Sequence, residues 1–171
     1  MNREGLCSTV KDPDLRSRYV VAEGTDGDGL AWVIWAKRHE PGDGDLFSMI
    51  RISDADGRIL HGDARGGPPL PPGHLLNVTT GGGDEGPRAL LARVDPQVRR
   101  LELKLADGTS MDVPLYDCPD IPEVRFASLL LPRDATLESL AGFGEGDQEL
   151  ERFDLRFYQG RWEERHPVEL R

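Results

Sequence analysis

The sequence predicts an all-β protein, an antiparallel β-sandwich, immunoglobulin-like or similar, of about ten short strands. Three observations carry that prediction. Apolar residues alternate with polar ones at a period of two, most clearly Leu101, Leu103 and Leu105 against Glu102 and Lys104. Clusters of Gly, Asp and Pro separate such segments at short intervals. Finally, 20 glycines and 13 prolines beside a hydrophobic fraction of 37% suit many short elements rather than long helices.

In order, residues 1–18 lack periodicity, and Asp12-Pro13-Asp14 is a turn signal, so an irregular N-terminal arm is expected. A β-sandwich domain follows over 19–157 and a C-terminal tail over 158–171. From Tyr19 the chain reads as a hairpin: YVVAEGT, a turn over Asp26–Gly29, then LAWVIWAK. Ala31–Ala36 is apolar on both faces, which predicts a central strand covered on both sides, with Trp32 and Trp35 pointing to opposite faces. One ring then packs in the core, and the other lies under a loop or at an interface.

Next come LFSMIRIS, the loop Ala55-Asp56-Gly57 and RILHG, a hairpin expected to pair Ile52 with Leu60 and to set Asp54 opposite Arg58. GGPPLPPG over 66–73 is stiff and poor in backbone donors, so it carries the chain from one sheet to another. HLLNVTT and RALLARV form the following pair around GGGDEG.

The hairpin over 98–116 is the most fully specified. A two-residue Asp107-Gly108 turn would set Leu103 opposite Asp112 and mix the faces. A three-residue Ala106-Asp107-Gly108 loop, with Gly108 left-handed, sets Leu103 opposite Met111 and Leu101 opposite Val113. Val98 is out of phase with the leucines, so the strand begins after Arg99 and Arg100 or carries a bulge near them. EVRFASLLL, the ambiguous stretch 134–143 read as strand, and ELERFDLRF complete the sheets.

The succession LELKLADGTSMDVPL, a proline-bounded loop, VRFASLLLP and LESLAGFGEGDQEL resembles small uncharacterised all-β domains of actinobacterial proteins. The likeness covers about residues 19–155 and consists of turn and packing positions. It implies the sandwich fold and no functional residue.

Composition narrows the partners. A net charge of -10 disfavours general affinity for nucleic acid or an anionic membrane, since both are repelled at long range. No apolar run reaches signal-peptide or membrane-span length, so the expected location is cytoplasmic. Cys7 and Cys118 show neither CxxC spacing nor a zinc set and are expected to be separate thiols; a disulfide would need an exported protein.

Chemistry-bearing patterns are sparse. There is no G-x-S-x-G, and Ser48, Ser128 and Ser139 lie in or beside apolar strands as ordinary sheet serines. His61 and Asp63 could share a strand face, with His39 or His74 as third ligand, giving a small metal-dependent hydrolase or ligand-binding protein as one alternative. Asp26-Gly27-Asp28-Gly29 and Asp54-Ala55-Asp56-Gly57 lack the glutamate that closes a calcium loop and read as turns. Gly81-Gly82-Gly83 is followed by Asp84 and Glu85, which repel phosphate, and no cofactor is expected. A carbohydrate-binding sandwich, with Trp32 or Trp35 as stacking platform, is the other alternative.

Two features favour another protein as partner. GGPPLPPG holds two overlapping P-x-x-P frames, although a sheet-crossing linker explains it more simply. Phe157, Tyr158, Arg161, Trp162 and Arg165 gather aromatic and arginine side chains of the kind enriched at interfaces. The leading expectation is therefore a non-enzymatic interaction or accessory module that binds another protein or a second copy of itself.

Overall fold

The computed structural model describes residues 8–12, 15–38, 44–82 and 86–156. Within them the protein is an all-β antiparallel sandwich, built in three layers. Thirteen strands are found among the described residues: β1 (Ser8–Asp12), β2 (Leu15–Thr25), β3 (Ala31–Arg38), β4 (Leu46–Ser53), β5 (Ile59–Arg65), β6 (Leu76–Gly81), β7 (Arg88–Val94), β8 (Arg100–Leu105), β9 (Ser110–Val113), β10 (Leu115–Asp117), β11 (Arg125–Leu131), β12 (Leu137–Phe143) and β13 (Glu149–Asp154). They form an N-terminal sheet in the order β1-β2-β3-β4-β5, a middle sheet β10-β11-β7-β6 and a C-terminal sheet β13-β12-β8-β9.

Two apolar cores hold the layers together. Ile34, Ala36, Ile50 and Ile52 of the N-terminal sheet pack on Ala89, Leu91 and Phe126 of the middle sheet. On its other face the middle sheet presents Leu90, Ala92, Val94 and Ala127 to Leu101, Leu103, Leu137 and Leu140 of the C-terminal sheet. β7 has both faces in a core, as does β11 with Phe126 on one side and Ala127 and Leu131 on the other, and RALLARV is the near-continuous apolar run such a position demands. Ala31–Ala36 was the stretch expected to be covered on both sides, and here the outcome differs: β3 is central in its sheet, but Val33 and Trp35 remain partly exposed on its outer face.

The β8–β9 hairpin has the expected register, Leu101 opposite Val113 and Leu103 opposite Met111. Gly108 closes its loop at φ +89°, where a side chain would be strained. Its amide donates to the Leu105 carbonyl at 3.0 Å, and β8 begins at Arg100, after the out-of-phase Val98. The β4–β5 hairpin keeps Asp54 against Arg58, the Asp54 amide donating to the Arg58 carbonyl at 3.0 Å. A bulge between Ile52 and Ser53 then shifts the pairing by one residue, so Ile52 faces His61 rather than Leu60.

The irregular arm expected over 1–18 is in part strand. Residues 8–12 form β1 and pair with β2, which already starts at Leu15. Asp12, the last residue of β1, pairs antiparallel with Leu15, the first of β2. The 66–73 stretch does pass from the N-terminal to the middle sheet. Leu70 packs on the core beneath it, and buried Arg93 donates to the carbonyls of Gly67 at 3.2 Å, Gly66 at 3.4 Å and Leu46 at 2.8 Å. Burial pulls the Arg93 pKa down to about 10.

Cys118, 2% exposed, is disulfide-bonded, which corrects the expectation of separate thiols. Cys7, the chain's one other cysteine, lies outside the described residues. β10, which leads into Cys118, is in contact with β2.

Candidate interaction surface

Register decides which side chains share the outer face of the N-terminal sheet. Trp35 is flanked by Val20 on β2 and Met49 on β4; Lys37 lies opposite Phe47, and Val33 opposite Arg51. Alternation then sends Ile34 and Ala36 to the core and leaves Val33, Trp35 and Lys37 outside. The Trp35 and Phe47 rings meet at 5.6 Å between centroids, tilted by 36°. The Arg18 guanidinium lies 4.6 Å over the Trp35 ring and the Lys37 ammonium 5.7 Å from the Phe47 ring. At one margin stands Ile59, 60% exposed, the one large hydrophobic residue fully at the surface among the described residues.

Trp32, the inward ring, packs against Tyr116 at 5.9 Å and lies over Gly24, where a Cβ would come within 2.7 Å of the indole. Glycine at 24 thus makes room for the ring, and burial raises the Tyr116 pKa. The two tryptophans of β3 do take opposite faces.

The remaining candidates do not converge on one place. Phe157, Tyr158, Arg161, Trp162 and Arg165 lie outside the described residues, as does His39. The β4–β5 bulge turns His61 and Asp63 to the inner side of β5, opposite Ile52 and Ile50. Asp63 accepts the Ala64 amide at 2.9 Å and the Thr79 hydroxyl at 3.1 Å, while Nε2 of His61 is buried without a hydrogen bond. His74 instead meets Glu151, its Nδ1 2.7 Å from Oε1. Among the described residues no group of three His, Cys, Asp or Glu side chains is placed to hold a metal ion.

The acidic turns are architectural. Asp26 accepts the amides of Asp28 at 3.0 Å and Leu30 at 2.8 Å, and Asp54 accepts those of Asp56 at 3.1 Å and Arg58 at 2.8 Å. Ser48, Ser128 and Ser139 are buried in their sheets. A shallow groove of about 470 Å³ runs between Asp28, Leu60, Arg88 and Arg133, but Arg88 is engaged with the Ala135 carbonyl at 2.7 Å.

Comparison with protein-family models, with curated proteins and with solved structures finds no match. No helix among the described residues is long and apolar enough to cross a membrane.

Proposed function

We propose that the chain is a non-enzymatic interaction module that binds another protein through the outer face of its N-terminal sheet. The observation that carries this reading is the Trp35–Phe47 pair, set with Val20, Val33 and Met49 on a face that neither of the other two sheets covers. Aromatic rings beside arginine are what protein interfaces concentrate, and such a ring cluster on the outer side of a sheet adds nothing to either core. A sugar platform fits less well, because Arg18 already occupies a face of Trp35 that a pyranose ring would need. The C-terminal Phe157–Arg165 segment stays a second contact candidate on composition alone.

The disulfide at Cys118 supports a place of work where such bonds persist, an oxidising compartment rather than the reducing cytoplasm.

Photo-crosslinking tests the docking face. A benzophenone amino acid replaces Met49 on this face or Glu102 on the outer face of the C-terminal sheet, and the full chain is irradiated in its native host. Discrete adducts from position 49 and none from position 102 are expected, and their masses separate a foreign partner from a second copy. Equal yields from both positions, or none from 49, remove the reading.

A further inference from the structure

We propose that the partner of this face is acidic, presenting an extended segment with two carboxylates four residues apart and an apolar side chain midway between them. The inference rests on the docking reading above and adds the partner's chemistry.

Its basis is where cations stand without carboxylates. The chain carries 31 acidic residues against 21 Lys and Arg, so carboxylates outnumber cations overall. On the outer face of the C-terminal sheet the cations have carboxylate partners. Arg100 reaches Glu102 and Asp147 at 3.1 Å and Asp112 at 3.5 Å, Lys104 reaches Glu138 at 2.8 Å, and Arg152 reaches Glu149 at 2.5 Å. On the N-terminal sheet, Lys37 and Arg51 have no carboxylate partner among the described residues. Lys37 rests by the Phe47 ring, and Arg51 lies between Val33 and Gly62. Glu23, an acid on this face, is separated from Arg51 by β3, with Val33 between them.

Geometry turns this imbalance into a pattern. Lys37 pairs with Phe47, and Arg51 lies four residues further along β4, about 13 Å away at the rise of a strand. Met49, paired with Trp35, stands midway. A segment in extended conformation repeats its side chains on one face at the same two-residue interval. Acid, spacer, apolar, spacer, acid therefore matches Lys37, the Trp35–Met49 patch and Arg51 in register. The low-dielectric surround of the rings strengthens each charge contact relative to open water.

A phage-displayed library of random dodecapeptides, selected against the immobilised full chain, tests the pattern. Enriched peptides are expected to carry the acid–x–apolar–x–acid spacing, to lose affinity about tenfold for K37E/R51E, and to weaken as salt rises. Exchanging the two acids of a selected peptide for lysines is expected to restore binding to K37E/R51E, which a merely misfolded variant could not show. Peptides that bind K37E/R51E as well as the native chain, but fail on W35A/F47A, overturn the acidic partner and leave the docking face standing. A library that yields no binder, or binders indifferent to all four positions, overturns both.

Discussion

The two outer faces of this three-layer molecule are built on different chemistry. Outside the C-terminal sheet, Arg100 lies 4.1 Å over the Phe143 ring and also holds carboxylates from three other residues. Outside the N-terminal sheet, Lys37 has the Phe47 ring and no acid among the described residues. The motif of a cation over a ring is shared, and what differs is whether the chain completes it. Ion pairs at such exposure contribute little to stability, so the C-terminal network serves mainly to leave a finished, water-compatible surface. The N-terminal face leaves apolar area and charge uncovered by the other two sheets, which is what the docking proposal rests on.

The largest expected effect separates the two sides of a single strand. Trp32→Ala empties a volume between Gly24 and Tyr116 and should lower unfolding free energy by about 3 kcal/mol. Trp35→Ala gives up a partly exposed ring and a cation contact, with a loss of about 1 kcal/mol. Urea denaturation of both variants measures the difference directly. Equal losses would make Trp35 a core residue and erase the contrast between inner and outer face.

A smaller effect sharpens the same contrast without removing a ring. Gly24→Ala forces a Cβ to within 2.7 Å of the Trp32 indole and should cost about 1 to 2 kcal/mol. Gly62→Ala, on the outer side of β5, meets nothing nearer than 3.6 Å and should change stability by less than about 0.5 kcal/mol. Paired melting curves decide it; a Gly62 variant as damaged as Gly24 would mean that the outer face is also packed.

How much of this was legible in the sequence depended on the kind of signal. The β8–β9 register could be worked out because three alternating leucines and a Gly108 loop allow one arrangement that keeps the faces apart. The β4–β5 bulge had no such mark: Ile59 and Leu60 are both apolar, so either suits the core position, and the slip that turns His61 and Asp63 inward is decided by packing. β7 and β3 both read as apolar on two faces, and nothing local says which of them lies in the middle layer. The opposed tryptophans followed from alternation alone, whereas the company of Phe47 and Lys37 did not. That pairing depends on the β3–β4 register, set across the seven-residue connection 39–45, whose Pro-Gly and Asp-Gly steps do not select one register. The C-terminal cluster expected to form the contact lies outside the described residues, and the face proposed for docking emerges from strand pairing rather than composition.

Acid should distinguish the two outer sheets most gently. Hydrogen bonds from Arg156 hold the Asp154 carboxyl down at about 2, and Arg152 lowers Glu149, both on β13. A carboxyl whose folded pKa is depressed stabilises the native state above its unfolded pKa, and that contribution fades as pH falls through the folded value. The window therefore runs downward from the ordinary 4.5 of Glu149 and 3.8 of Asp154 to about 2. Glu123, lowered by its bond to Arg38, joins β3 to the segment ahead of β11 and titrates in the same direction, so Glu123→Gln provides the background in which the sheets are compared. In that background, hydrogen exchange corrected for its intrinsic pH dependence should show β12 and β13 losing protection before β3 and β4 between about pH 5 and 2, the range of carboxylate titration. Earlier loss in β3 and β4 would show that the N-terminal sheet also depends on native carboxylates, and the division between a face satisfied by its own charges and a face awaiting those of another molecule would fail.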